Sequence, residues 1–80
     1  MHELGVLREI VKIVDRAAKE NGIPKIKHIT LEVGEASGFV PMYLTKLFPA
    51  AADACPAMHE TKLIIDMVPG KGLVVKDIGY

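Results

Sequence analysis

Hydrophobic residues near the start of the chain recur with helical spacing. Charged residues fill the positions between them as far as about Lys19, and the hydrophobic set is Leu4, Leu7, Ile10, Val11, Val14, Ala17 and Ala18. This spacing puts the apolar side chains on one face of a helix. Asn21-Gly22 predicts its end, because glycine readily adopts the left-handed conformation that follows a helix. The pattern predicts an amphipathic first helix of about four turns.

The next segment, from Ile26 to Val33, alternates instead. Apolar residues at 29, 31 and 33 would point to one side, and the polar residues His28, Thr30 and Glu32 to the other. Strict alternation is typical of a half-buried strand with one wet face. The residues from Gly34 to Gly38 predict a turn, with glycines where the backbone can take a positive φ.

A second helix is predicted to begin at Pro41. Proline suits the first helical position, and Val40 before it should be extended. An apolar stripe follows, formed by Leu44, Leu47, Phe48 and Ala51. Pro49 conflicts with this helix, since it cannot donate to the Thr45 carbonyl and its ring clashes there. We therefore predict a kink or a break into two short helices near Phe48.

Two apolar segments near the end of the chain, Lys62 to Val68 and Leu73 to Ile78, predict two more strands. The four residues Pro69-Gly70-Lys71-Gly72 between them are short enough for an antiparallel hairpin. The order helix-strand-helix-strand-strand predicts an α+β fold, a two-layer sandwich with two helices on one face of a three-stranded sheet. The pattern leaves open whether the first strand runs parallel to its neighbour.

The length and composition of the chain limit the kinds of function that the protein can have. Eighty residues suit one domain, 1–80, and half of them are hydrophobic. Ten basic residues balance ten acidic ones, so no net charge attracts nucleic acid or an anionic membrane surface. Charged residues interrupt the N-terminal apolar pattern, so we expect neither a signal segment nor a membrane-spanning segment there. The lone Cys55 excludes an internal disulfide and, with the soluble composition, leads us to expect a cytoplasmic protein.

The first three residues, Met1-His2-Glu3, offer a candidate metal site. The Met1 α-amine, the His2 imidazole and the His2 backbone nitrogen can bind one ion, and the Glu3 backbone nitrogen can complete a planar set. Four nitrogens in a plane suit Ni(II) or Cu(II) better than Zn(II), which prefers a tetrahedron. A histidine at the second position usually binds nothing, so the tripeptide alone is only a candidate.

Other reactive side chains have simpler interpretations. His28 belongs to the polar face of a strand, where a solvated or locally hydrogen-bonded histidine is expected. Cys55 and His59 could share a metal only on a regular helix, which Pro56 opposes, and a closed zinc site needs more ligands. Ser37 has no base motif near it in the sequence. Without an acid, base or nucleophile constellation, we predict that the protein is not an enzyme.

Several separate segments together resemble the HypA family of nickel-incorporation accessory proteins for nickel–iron hydrogenase, which also serve urease in some organisms. The segments are Met1-His2-Glu3-Leu4 at the start of a helix, the stretch from Ile29 to Pro41, and Val68-Pro69-Gly70-Lys71-Gly72. The resemblance implies a metallochaperone that binds Ni(II) transiently. It assigns the nickel ligands to Met1 (amine), His2 (imidazole and backbone nitrogen) and Glu3 (backbone nitrogen). The implied partners are a maturation GTPase and an apo-hydrogenase or other nickel enzyme.

One departure from the family pattern changes this expectation. The family carries a zinc lobe with two Cys-x-x-Cys pairs between its second and third strands, whereas only four residues join the corresponding strands here. A single cysteine cannot replace four. We therefore expect a short form, residues 1–80, with a HypA-like nickel-binding domain and no structural zinc. The alternative hypothesis is a protein-interaction module that keeps the fold without a metal role.

Overall fold

The predicted helices and strands are present in a computed structural model that describes residues 3–80. An additional short 3-10 turn, Pro56–Met58, precedes the second strand. The elements are α1 (Glu3–Glu20), β1 (His28–Gly34), α2 (Pro41–Ala51), β2 (Lys62–Val68) and β3 (Leu73–Gly79). The α+β class and the element order are confirmed.

The sheet places β1 in the centre, in the order β2-β1-β3. β1 runs parallel to β2 and antiparallel to β3, which answers the question that the sequence left open. The predicted hairpin between β2 and β3 is wrong, because these two strands lie on opposite sides of β1 and do not pair. A four-residue connection permits either arrangement. Crossing one strand spans about 9.5 Å, and four extended residues reach about 13 Å.

The connection from β2 to β3, residues 69–72, passes over the end of β1 and is defined here as the crossing loop. Three backbone N–H groups at the end of β1 and just after it bond to this loop and its flank. Gly34 donates to the Gly72 carbonyl at 2.7 Å, Ala36 to the Gly70 carbonyl at 2.8 Å and Glu35 to the Val68 carbonyl at 2.8 Å. Gly70 has a φ of 107°, which favours glycine. The loop lies directly against Gly34, where a side chain has no room.

The two helices cover one face of the sheet and enclose the core. The β1 side chains Ile29, Leu31 and Val33 are fully buried, as their alternation predicted, and the residues between them are partly exposed. They form one cluster with buried residues of both helices and β2, namely Leu7, Ile10, Val11, Val14, Ala18, Leu44, Phe48 and Leu63. The predicted two-layer arrangement is therefore confirmed.

The second helix passes through Pro49 and runs unbroken to Ala51, so of the two predicted outcomes the break into two short helices is wrong and the kink stays a prediction. Pro49 lies in the last turn, so only its own missing N–H interrupts the bonding pattern before the helix ends. The Ala52 N–H still donates to the Phe48 carbonyl at 2.9 Å. The start is as predicted, with an extended Val40 (φ −97°, ψ 116°) followed by Pro41.

Candidate metal site at the start of the first helix

Only part of the predicted nickel site belongs to the residues that the structure describes. Met1 and His2 lie outside them. Glu3 is the first residue of α1. The first four N–H groups of a helix have no acceptor within it, so the intrahelical bonding pattern does not use the Glu3 nitrogen. The predicted role of that nitrogen is therefore compatible with the helical start.

The Glu3 side chain has a structural position that the sequence analysis missed. It is only 6% exposed, and its Oε2 accepts a hydrogen bond from the Val40 backbone N–H at 3.3 Å. Val40 immediately precedes α2, so the carboxylate lies near the starts of both helices, where a negative charge is favoured. This contact ties the first turn of α1 to the beginning of α2. The candidate site is thus attached to the core through the second helix.

The spacing of residues along α1 contained a signal for this contact. Glu3, Leu7, Ile10 and Val14 follow one another at intervals of four, three and four, which puts Glu3 on the buried face of the helix. A carboxylate on that face requires a hydrogen-bond donor, because burying it without one is costly. The identity of the donor depends on tertiary packing, since Val40 is far away in the sequence.

Replacing Glu3 tests this anchor. We expect Glu3→Ala to lower the free energy of unfolding by about 2 kcal/mol, because it removes a charge-assisted hydrogen bond and leaves the Val40 N–H without that acceptor. Glu9→Ala on the same helix is the matched control. Among residues 3–80, the Glu9 carboxylate makes only an exposed ion pair with Lys12, so a change within about 0.5 kcal/mol is expected. Equal urea midpoints for the two variants would contradict the anchor.

The start of α1 borders an apolar cavity of about 360 Å³. Its lining consists of Glu3, Leu4, Tyr43, Lys46 and Leu47. Tyr43 and the neighbouring Met42 remain exposed, with 51% and 63% of their surface accessible. Large exposed apolar side chains in one place are a feature of surfaces that contact other proteins. The candidate site therefore adjoins a surface suited to a protein partner.

The other candidate ligands have local partners instead. His28 Nε2 lies 3.4 Å from Asp77 Oδ1, and His59 Nε2 donates to the Asp53 carbonyl at 2.9 Å. Burial, with the Asp15 carboxylate nearby, raises the pKa of the Cys55 thiol, which disfavours the thiolate that a metal would need. Within residues 3–80, no three His, Cys, Asp or Glu side chains gather into a metal-binding group.

Comparison with known protein families identifies the family to which the chain belongs. The family model described as "Hydrogenase/urease nickel incorporation, metallochaperone, hypA" matches residues 1–73. This chain belongs to the HypA family. The resemblance inferred from the sequence motifs is thereby confirmed, and the family as described supplies metal rather than catalysing a reaction.

Individual HypA relatives show the same relationship. The chain is 39% identical over 69 residues to the hydrogenase maturation factor HypA of Methanosarcina barkeri, covering 86% of this chain and 51% of that protein. It is 38% identical over 69 residues to the factor of the same name from Picosynechococcus, covering 86% and 60%. The chain thus spans about half to three-fifths of the length of these relatives.

A solved HypA structure shares the fold. The solution structure of the Ni metallochaperone HypA from Helicobacter pylori superimposes with a TM-score of 0.78 at 18% identity. The superposition covers 96% of this chain and 72% of that one. In the part of the chain that the structure describes, no helix is both long and apolar enough to cross a membrane.

Proposed function

We propose that this HypA-family chain binds Ni(II) at its N-terminus and delivers it during maturation of a nickel enzyme such as nickel–iron hydrogenase. The observation that carries the proposal is the family match, which begins at residue 1 and includes Met1-His2-Glu3. The structure adds support through the Glu3 contact with Val40, which holds the start of α1 against the core.

The donor set explains how nickel could be both held and released. The Met1 amine, the His2 imidazole and two backbone nitrogens, those of His2 and Glu3, match the preference of Ni(II) for planar nitrogen ligands. These nitrogens bind only when deprotonated or neutral. Protons and nickel therefore compete for the same atoms, and a partner that supplies its own ligands can displace the metal.

Delivery requires partners, for which we propose a maturation GTPase and the apo-enzyme. The exposed Met42 and Tyr43 at the cavity by the start of α1 are suitable contact residues, because Glu3 and Tyr43 line the same cavity. We further propose that this domain acts without structural zinc, since the crossing loop of four residues contains no cysteine. Nickel would then be the only metal that the domain binds, and it would be bound transiently as cargo.

A nickel titration of the untagged protein tests the proposal. We expect one equivalent of Ni(II) with the visible absorption band of a planar site, and we expect His2→Ala to lose both. His28→Ala is the control. The His28 side chain lies at the start of β1 and pairs with Asp77, so its removal should leave nickel binding unchanged. Equal binding by wild type and His2→Ala, measured by calorimetry, would refute the N-terminal site.

The alternative is a protein-interaction module without a metal role. The exposed side chains of Met42 and Tyr43 in α2 support this alternative, since they suit a protein partner whether or not nickel is bound. The two functions differ in whether partner binding depends on a free Met1 amine.

A further inference from the structure

The β2 strand leaves one complete edge of the sheet open. The Lys62 N–H donates to the Lys27 carbonyl, and the Val68 carbonyl accepts from Glu35. Both groups are on the side of β1, so the even-numbered residues of β2 face that strand. Its odd-numbered residues, Leu63, Ile65 and Met67, direct their backbone groups outward. Among residues 3–80, no hydrogen bond reaches these outward groups.

The opposite edge of the sheet is different. The pairing of β3 with β1 contains an irregularity opposite Thr30 and Leu31, where Lys76 is the extra residue. A bulge and a lysine are features that discourage further strand pairing. β2 keeps a continuous register with β1 over all seven residues, from Lys62 to Val68. Exposed apolar side chains flank its edge, with Ile64 39% and Met67 40% accessible.

We propose that β2 pairs antiparallel with β2 of a second copy of this chain, around a twofold axis at Ile64. Leu63 and the partner's Ile65 would exchange backbone hydrogen bonds, and the symmetric pair would do the same. Lys62 would lie opposite the partner's Asp66 on the solvent face, twice in the dimer. The two sheets would join into one continuous sheet and remove the open edge.

Charge complementarity selects this register over its neighbours. Centring the pairing on Asp66 places two carboxylates directly opposite each other, which is unfavourable. Centring it on Ile65 places Asp66 opposite the partner's Ile64. Only the centre at Ile64 gives both Asp66 side chains a lysine across the interface. Asp66 is available for this, being 48% exposed, with Lys76 at 3.6 Å as its present ion-pair partner.

Disulfide trapping tests the geometry. Ile64 and its symmetry mate would form a non-hydrogen-bonded pair with Cα atoms about 4.5 Å apart, which suits a disulfide. In a Cys55→Ala background, we expect Ile64→Cys to form covalent dimers at least about tenfold faster than Val74→Cys. Val74 is the control because it lies on the same face at the other edge and is more exposed, at 54%. Equal rates for the two would overturn the proposal.

The second test exchanges the charges of the Lys62–Asp66 pair and measures the oligomeric state by sedimentation of the untagged protein. The concentration is raised to the millimolar range, because a small interface gives weak association. Lys62→Asp and Asp66→Lys alone should each be monomeric, and an equimolar mixture should recover dimers. The double variant should recover them too. Asp53→Lys, an exposed site outside the sheet, should leave dimerisation intact. A monomeric wild type, or a mixture that stays monomeric, would overturn the proposal. If a charge variant fails to fold, the disulfide pair still decides.

Discussion

Gly34→Ala is expected to lower the free energy of unfolding by about 3 kcal/mol, because the added methyl group collides with the crossing loop. A Cβ at Gly34 would collide with the Gly70 carbonyl oxygen, and it would lie 2.6 Å from the Gly70 carbonyl carbon and 2.8 Å from the Lys71 nitrogen. All three are backbone atoms, so no side-chain rotation relieves the contact. The loop would have to move, and three backbone hydrogen bonds around β1 hold it.

Two other glycines provide matched controls for the same substitution. Gly72→Ala, in the same loop, meets no atom within 4 Å and should change stability by less than about 0.5 kcal/mol. Gly5→Ala, in the first turn of α1, also meets nothing within 4 Å and should gain about 0.5–1 kcal/mol, because alanine lowers the entropy of the unfolded chain. Urea denaturation measures all three. A Gly34→Ala midpoint equal to that of Gly72→Ala would contradict the crossing of the loop over β1.

Adding one Gly-Ser dipeptide ahead of Met1 is expected to weaken nickel binding by more than about a hundredfold. Loss of a ligand's supporting hydrogen bond alone typically costs ten- to a hundredfold in metal affinity, and the extension removes a ligand itself. It converts the Met1 amine into an amide and separates His2 from the new terminus. Calorimetric titration with Ni(II) measures the change.

The same dipeptide placed after Tyr80 is the control for this experiment. Tyr80 is exposed and lies at the other end of the chain, so nickel affinity should stay within about twofold of wild type. Unaltered nickel binding by the N-terminally extended protein would reject the terminal amine as a ligand. Under the alternative function, the extension should leave partner binding unchanged as well, which a pull-down with the maturation GTPase would show.

The elements themselves could be predicted from local periodicity. The helical spacing of Leu7, Ile10 and Val14 and the alternation of Ile29 and Leu31 are properties of short segments, and the structure buries these residues as predicted. Periodicity is reliable here because each element has one buried face and one wet face. The effect of Pro49 on the second helix was harder to predict, because the sequence does not show whether a proline lies near the end of a helix or in its middle.

The sequence predicted one part of the candidate site and missed another. The sequence alone predicted Met1-His2-Glu3 as nitrogen donors, because those atoms are contiguous along the chain, and it indicated the HypA family. It did not show that the Glu3 carboxylate bonds to Val40, since this contact joins residues that only the packing of α1 on α2 brings together. Candidate ligands that are contiguous can be found from a sequence, whereas the contact that supports the Glu3 side chain depends on tertiary packing.

The sequence by itself thus determined the helices, the strands, the layer arrangement and the family. Only the tertiary structure decided the strand order, in which β1 separates β2 from β3 and leaves β2 with an open edge. A hairpin and a crossing need the same short, glycine-containing connection. What distinguishes them is the bonding of the loop to the end of β1 and its contact with Gly34, between residues far apart in the chain.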